Sequence, residues 1–437
     1  MKKKNRRGMK ERRNQYDLIK SGTIFFIGAM LVAILNYLYH LFMGRMLGPI
    51  EYGVLGSVFA LVYIATTATG AFNLIISKFT AEFHGKEQQG QIKYLVTHGL
   101  KKTLIYGVIL LAVYILLTPI IANFMNLKTT SGLIIVGVIA FVCVFSTILT
   151  GALNGFQKFI WQNTSSVLNA IVKFSLAVVL VMIGFGVNGA LLAVLAGACL
   201  GILVCSVPLN KTFQHIKTKP FNPKKFYSHI VPIFVGFILP ILIITLDQIL
   251  VKHFMSSADA GFYAAAGMIA KTIWFGSGFL VGPLFPMIVN LKTKNKPTSY
   301  LLRHATVYTA IIASLGIICF FVIPTFIVNI LYGSEYLEIV PLIGLFGVAL
   351  GFYSVNNVFV IYNLATEKYR FIIIWILALI IEITGIIMFH NSLLDIVKIV
   401  FATNLFILIS MIILNKNDLG LNGLNWKEKR SDRGMNV

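Results

Sequence analysis

Long apolar runs, repeated from one end of the chain to the other, restrict this sequence more than any other feature. Stretches of about 18 or more apolar residues recur along its 437 residues. Inside a bilayer the backbone must satisfy its own hydrogen bonds, so runs of this length read as transmembrane helices. Composition agrees: only 12% of residues are charged, against roughly 25% in soluble domains. The fold class is therefore all-α, a polytopic membrane protein. Twelve spans fit, at 19–44, 52–77, 103–125, 132–155, 164–185, 187–208, 228–253, 260–290, 304–331, 338–363, 370–390 and 392–414.

The formal net charge is +22. In a soluble protein that balance would suggest a nucleic-acid partner. Here the Lys and Arg lie mostly between the apolar runs, where they set topology and meet anionic membrane lipids. Of the 37 basic residues, 31 fall on one alternating set of connections. The other set holds Arg45, Lys128, Lys252 and Lys398. That asymmetry places both termini in the cytoplasm of a multi-pass cell-membrane protein. No signal-peptide pattern precedes the first span. Cys143, Cys199, Cys205 and Cys319 all lie in apolar runs without CxxC or Cys/His spacing, and read as small core residues.

Composition divides the chain. A basic cytoplasmic tail (1–18) precedes an N-lobe of spans 1 to 6 (19–209). A linker (210–226) with two prolines and five lysines leads to a C-lobe of spans 7 to 12 (227–414) and a basic tail (415–437). The lobes resemble each other. Glu51 and Gly53 in the turn after span 1 recur as Asp259 and Gly261 after span 7, 208 residues on. Gln157-Lys158-Phe159 after span 4 recurs as Glu367-Lys368-Tyr369 after span 10, 210 residues on. Because six is even, such copies enter the membrane from the same side, as a parallel repeat.

Several segments carry a family likeness: GRMLGPIEYGVL after span 1, IISKFTAEFHGKEQQGQIKYL leaving span 2, LDQILVKHFMSSADAGFYAAAGMIAK across spans 7 and 8, GPLFPMI in span 8, and LYGSEYLEIVPLIGLF entering span 10. Together these resemble the Wzx-like oligosaccharide flippases, the polysaccharide branch of the multidrug/oligosaccharidyl-lipid/polysaccharide (MOP) exporter superfamily. The resemblance implies two six-helix lobes around a V-shaped, MATE-like cavity that opens to alternate sides. It also implies a cargo of polyprenyl-diphosphate-linked sugar moved from the inner to the outer leaflet, with a polysaccharide polymerase and glycosyltransferases as possible partners.

A charge at mid-bilayer is costly and usually has a partner or a task. Lys271 in span 8 follows the small residues Ala264–Ala266 and Gly267, a face that can border a cavity. It reads either as a point charge for a diphosphate or as a structural lysine against a carboxylate. Lys173 in span 5 is a second phosphate candidate. Glu382, 209 residues further on, reads as a proton or cation site or as one half of an ion pair, between lobes or with Lys271. Asp247 in span 7 reads as a coupling site, as a gate pairing with Arg45 or Lys252, or as a helix-end carboxylate reaching the interface. Arg45 and Lys78 are candidate cargo contacts that topology also explains. Asn73 belongs to a polar run in span 2, with Thr66, Thr67 and Thr69, that suits either a cavity lining or interhelical hydrogen bonding. At the repeat offset of 208, Tyr39 stands opposite Asp247 and Tyr63 opposite Lys271, so those charges belong to one lobe.

The chain has no GxxxxGK[ST], HExxH or GxSxG, which argues against nucleotide hydrolysis and enzyme catalysis. No cofactor or metal site is expected, apart from possible coupling to H+ or Na+. The alternative function is a cation-coupled, MATE-like exporter of small molecules. That branch relies on an acidic residue in the first lobe, and spans 1 to 6 have none in their interiors.

Overall fold

Apolar runs with no water to solvate their peptide groups become helices, and the computed structural model of this chain follows that rule. It describes residues 2–221 and 230–420, and no strand occurs among them. Ten helical runs among the described residues are long and apolar enough to cross a membrane. The first, Ile27–Gly85, carries predicted spans 1 and 2. Helix Ser257–Val281 carries most of predicted span 8 but is not among the ten. The linker and the C-terminal tail lie partly outside the described residues.

The chain divides into two compact units, Met1–Phe234 and Val235–Val437. In the first, helix α1 spans Lys2–Gly85 and bends at Gly48, whose φ of 68° and ψ of 175° lie in a region open essentially to glycine. Pro49 follows, with its fixed φ suited to a first helical position. Then come α2 (Gln89–Phe124), α3 (Ser131–Gly155), α4 (Phe159–Met182) and α5 (Gly186–Phe213). The second half of α1 packs on α3, and α4 packs closely on α5. Gly197 and Gly201 make that close approach possible: a Cβ on Gly197 would lie 2.7 Å from the Asn169 carbonyl oxygen. Ser165 donates to the Gly201 carbonyl at 2.9 Å. Helix α2 is the most exposed span, with only 6% of its apolar window buried.

Helix α6 (Ile230–Ile243) spans the boundary between the units, and the second unit continues with α7 (Leu246–Phe254), α8 (Ser257–Val281), α9 (Leu284–Thr293), α10 (Ser299–Val322) and α11 (Pro324–Leu331). A 3-10 turn, Ser334–Ile339, leads into α12 (Val340–Thr366), followed by α13 (Phe371–Met388), α14 (Leu393–Leu414) and the short α15 (Lys416–Leu419). Helix α12 is the centre of this unit and touches α8, α9, α10 and α14. Predicted spans 7, 8 and 9 are each broken. The breaks fall at Ile244–Thr245, at Gly282–Pro283 and before Pro324. Pro283 and Pro324 stand at the second and third breaks, where each removes a helix donor and crowds the preceding turn.

The repeat is visible in backbone geometry. Gly48 occupies the position of Ser256, the N-cap of α8. Ser256 Oγ accepts from the Asp259 N–H at 3.1 Å, and Asp259 Oδ2 accepts from the Ser256 N–H at 3.3 Å, a capping box. Glu51 stands where Asp259 stands. Gln157 and Glu367 both take left-handed conformations, with φ of 58° and 62°. The next N–H, of Lys158 or Lys368, donates back to Leu153 or Asn363 at 2.9 and 2.8 Å. The cysteines depart from expectation. Only Cys205 is buried, Cys143 is half-buried, and Cys199 and Cys319 are exposed.

Candidate functional site

Each unit buries a polar cluster around the charges singled out above. In the second unit it begins at the break in predicted span 7. Pro240 lies inside α6, and the helix stops at Ile243. The Pro240 carbonyl accepts from the Tyr353 hydroxyl of α12 at 3.1 Å. Thr245 donates to the Ile241 carbonyl at 2.5 Å. The helix restarts as α7, which puts Asp247 in a first turn, where free N–H groups and the helix dipole favour a carboxylate. The Gln248 N–H donates to Asp247 Oδ1 at 2.8 Å, and Tyr263 Oη–H of α8 donates to Oδ2 at 2.6 Å. Lys271, two turns beyond Tyr263 on α8, attracts Asp247 electrostatically. Glu382 of α13 is 1% exposed. Neither of its oxygens accepts a hydrogen bond among the described residues, and its electrostatic neighbours are Asp247 and Tyr263.

Two expectations are corrected here. Asp247 does not reach the interface; it is 4% exposed. Glu382 is not ion-paired with Lys271; its charged neighbour is another carboxylate. Of the small residues before Lys271, Ala264 is half-buried, while Ala265, Ala266 and Gly267 are buried and Gly267 lies against the Phe346 ring of α12. The physical reason is common to both. The small side chains bring α8 onto α12, and that packing draws Tyr263, Asp247 and Glu382 into one interior.

In the first unit the cluster surrounds Lys173 of α4, which is 8% exposed. Its ammonium donates to Asn36 Oδ1 at 2.5 Å and lies 4.5 Å from the centre of the Tyr39 ring. Tyr39 donates its hydroxyl proton to the Ala190 carbonyl at 3.0 Å. The neighbouring His40 Nε2 lies 3.0 Å from the Tyr63 hydroxyl. No carboxylate pairs with Lys173 among the described residues. The two clusters occupy repeat-equivalent positions: Tyr39, Tyr63 and Lys173 in one unit, Asp247, Lys271 and Glu382 in the other. The first set holds one cation among neutral groups, which suits an anion. The second holds two carboxylates and one lysine. Adjacent buried carboxylates do not both stay charged without a proton or cation between them, so this set suits cation exchange.

The other candidates lie elsewhere. Asn73 donates to Thr150 Oγ1 at 2.8 Å and accepts from Asn154 at 3.3 Å, tying α1 to α3. Thr66 and Thr69 donate to carbonyls of their own helix. Arg45 is exposed three residues before Gly48, and Lys78 is exposed five residues beyond Asn73. Sequence reading missed Tyr263 and the burial of Lys252, which is 1% exposed. Pro240 was the one available signal, since a proline ahead of Asp247 foretells a helix restart.

A sequence profile of the family described as "Polysaccharide biosynthesis protein" matches residues 18–292, more than half of the chain. No curated protein matches it. Among solved structures the chain is similar to an inward-facing multidrug-resistance MATE transporter of the MOP superfamily, with TM-score 0.74, 13% identity, and 90% of this chain and 96% of that one covered. It is similar to the lipid II flippase MurJ in an inward closed conformation, with TM-score 0.70, 15% identity, and coverage of 91% and 89%. It is also similar to the eukaryotic MATE transporter AtDTX14, with TM-score 0.63, 12% identity, and coverage of 90% and 94%. The chain belongs to the polysaccharide biosynthesis protein family and carries the fold of the MOP-superfamily transporters.

Proposed function

We propose that this protein is a flippase that carries polyprenyl-diphosphate-linked oligosaccharide from the inner to the outer leaflet of the cell membrane, for cell-surface polysaccharide synthesis. The observation that carries this reading is Lys173, a buried cation whose partners are an amide oxygen and an aromatic ring rather than a carboxylate. An unneutralised lysine in an apolar interior favours an anionic ligand, and a diphosphate supplies that charge. Lys271 is a second contact, with Arg45, Lys78 and Asn73 along the path. The two lobes alternate access, with both termini in the cytoplasm, and a polymerase and glycosyltransferases act before and after the transfer. Asp247 and Glu382 couple the cycle to a proton or sodium ion.

A second reading, a cation-coupled exporter of small molecules, draws on the likeness to MATE transporters. The test is leaflet accessibility of the lipid-linked sugar in cells lacking the protein and any redundant transporter. The sugar should fail to appear outside, Lys271→Ala should not restore it, and Lys271→Arg should restore it in part. Unchanged outward appearance in the deletion strain would sink the flippase reading. Full activity of Lys271→Ala would remove Lys271 from the path.

A further inference from the structure

The first unit contains an apolar groove of about 540 Å³ between the second half of α1, α2 and α3. That volume falls within the usual range of ligand pockets, about 300–1,000 Å³. The groove runs from Leu61 to Phe72 on α1 and from Gly107 to Leu117 on α2, so it extends about 16 Å along the helices. That is about half the thickness of a bilayer's hydrocarbon core.

The groove exists because of residue choice at three positions, as the repeat makes clear. In the second unit, Ile273 of α8 and Phe320 of α10 converge on Gly347 of α12. A Cβ there would lie 3.6 Å from Ile273 and 2.6 Å from Phe320. Both side chains are buried, at 4% and 6% exposure. Their counterparts in the first unit follow from the repeat offsets. Ile273 corresponds to Ala65, 208 residues earlier; Phe320 and Gly347 correspond to Leu110 and Gly137, 210 residues earlier. Helices α2 and α10 begin at Gln89 and Ser299, the same 210 apart. Ala65, Leu110 and Gly137 all line the groove, and Leu110 is 68% exposed. One lobe fills the space with Ile and Phe; in the other the Tyr114 ring lies over Gly137, 2.6 Å from where a Cβ would stand, while Ala65 and a turned-out Leu110 leave the groove open beside it.

The groove has one polar end. Thr69 lines it, and Asn73, Thr150 and Asn154 form a hydrogen-bonded set one turn further along α1. Asn154 Oδ1 is buried and has no hydrogen-bond partner among the described residues, and the same is true of the Tyr114 hydroxyl in the lining. An apolar slot along the helices that ends at amides has the form of an amphiphile. Its mean cross-section, about 34 Å² from 540 Å³ over 16 Å, leaves room for methyl branches.

On the flippase reading above, we propose that this groove binds the polyprenyl chain of the cargo, with the diphosphate towards the Asn73–Asn154 end. The cargo's tail then rides on the N-lobe during transfer instead of trailing free in lipid. The test uses the full chain in proteoliposomes with two photoreactive probes, a diazirine-bearing polyprenyl diphosphate and a diazirine-bearing phosphatidylcholine. Labelled peptides are mapped by mass spectrometry. The polyprenyl probe should label segments 61–72, 107–117 and 136–144, and unlabelled polyprenyl diphosphate should compete. Ala65→Ile with Leu110→Phe, which rebuilds the packing of the second unit, should lower that labelling at least about tenfold while the melting temperature holds. Equal, uncompeted labelling by the phosphatidylcholine probe would show an ordinary lipid-facing surface and overturn the proposal, as would undiminished labelling of the filled variant. Wild-type protein that labels and competes but moves no lipid-linked sugar would refute the flippase reading and leave the groove standing. Protein that moves the sugar without polyprenyl labelling of the groove would do the reverse.

Discussion

Replacing Lys173 by Met separates a lysine that holds the fold together from one that the fold merely accommodates. A charged lysine at the centre of a membrane helix costs about 2.5–3.5 kcal/mol. Against that, the hydrogen bond to Asn36 at 2.5 Å contributes about 1.5–3 kcal/mol, as charge-assisted bonds do. The ammonium over the Tyr39 ring at 4.5 Å contributes about 0.5–2 kcal/mol. The terms nearly cancel, so the charge is close to neutral for stability. Met keeps the length and apolar stem of the side chain but strands the Asn36 carbonyl, at about 1–3 kcal/mol. Lys173→Met should therefore lower stability by no more than about 3 kcal/mol. Adding Asn36→Leu removes the stranded group and should bring stability within about 1 kcal/mol of wild type, a shift of about 2–4 °C for a unit of this size. Thermal unfolding in detergent reads this part, and translocation of lipid-linked sugar in proteoliposomes reads the other. There both variants should lose at least about tenfold, equivalent to about 1.4 kcal/mol of lost binding. A double variant that melts more than about 10 °C below wild type would make Lys173 a structural pillar. A double variant that transports at the wild-type rate would make it idle.

Two further outcomes follow from the same reasoning. Glu382→Gln removes one of two neighbouring buried carboxylates, so stability should stay level or rise by about 1–3 kcal/mol, while transport loses its dependence on a sodium or proton gradient; a large fall in melting temperature, or an unchanged gradient dependence, would contradict the cation role. Gly48→Ala forces a Cβ into a glycine-only conformation and should cost about 1–3 kcal/mol, whereas Gly70→Ala, at a helical glycine with nothing within 4 Å of the added carbon, should be neutral or stabilising by up to about 1 kcal/mol; equal melting temperatures for the two would refute the argument.

Much of this protein was legible from residue order because the bilayer simplifies the problem. With no water to solvate peptide groups, an apolar run has only one regular solution, so the helices around Leu111, Val136 and Ile399 could be placed from hydropathy. The duplicated turns were legible because turn chemistry is local: Gly48 and Ser256 start helices, and Gln157 and Glu367 end them, through atoms a few residues away. Periodicity was silent on which charges meet. Asp247 pairs with Tyr263 sixteen residues away, and Lys173 with Asn36 at a separation of 137. Such contacts depend on how small residues such as Gly267 and Gly197 let one helix approach another, and hydropathy reads Gly267 only as a small residue facing a space. The groove was hidden for the same reason. Ala65 and Ile273 are both apolar helix residues in the sequence, and only packing against α2 or α10 makes one a gap and the other a plug.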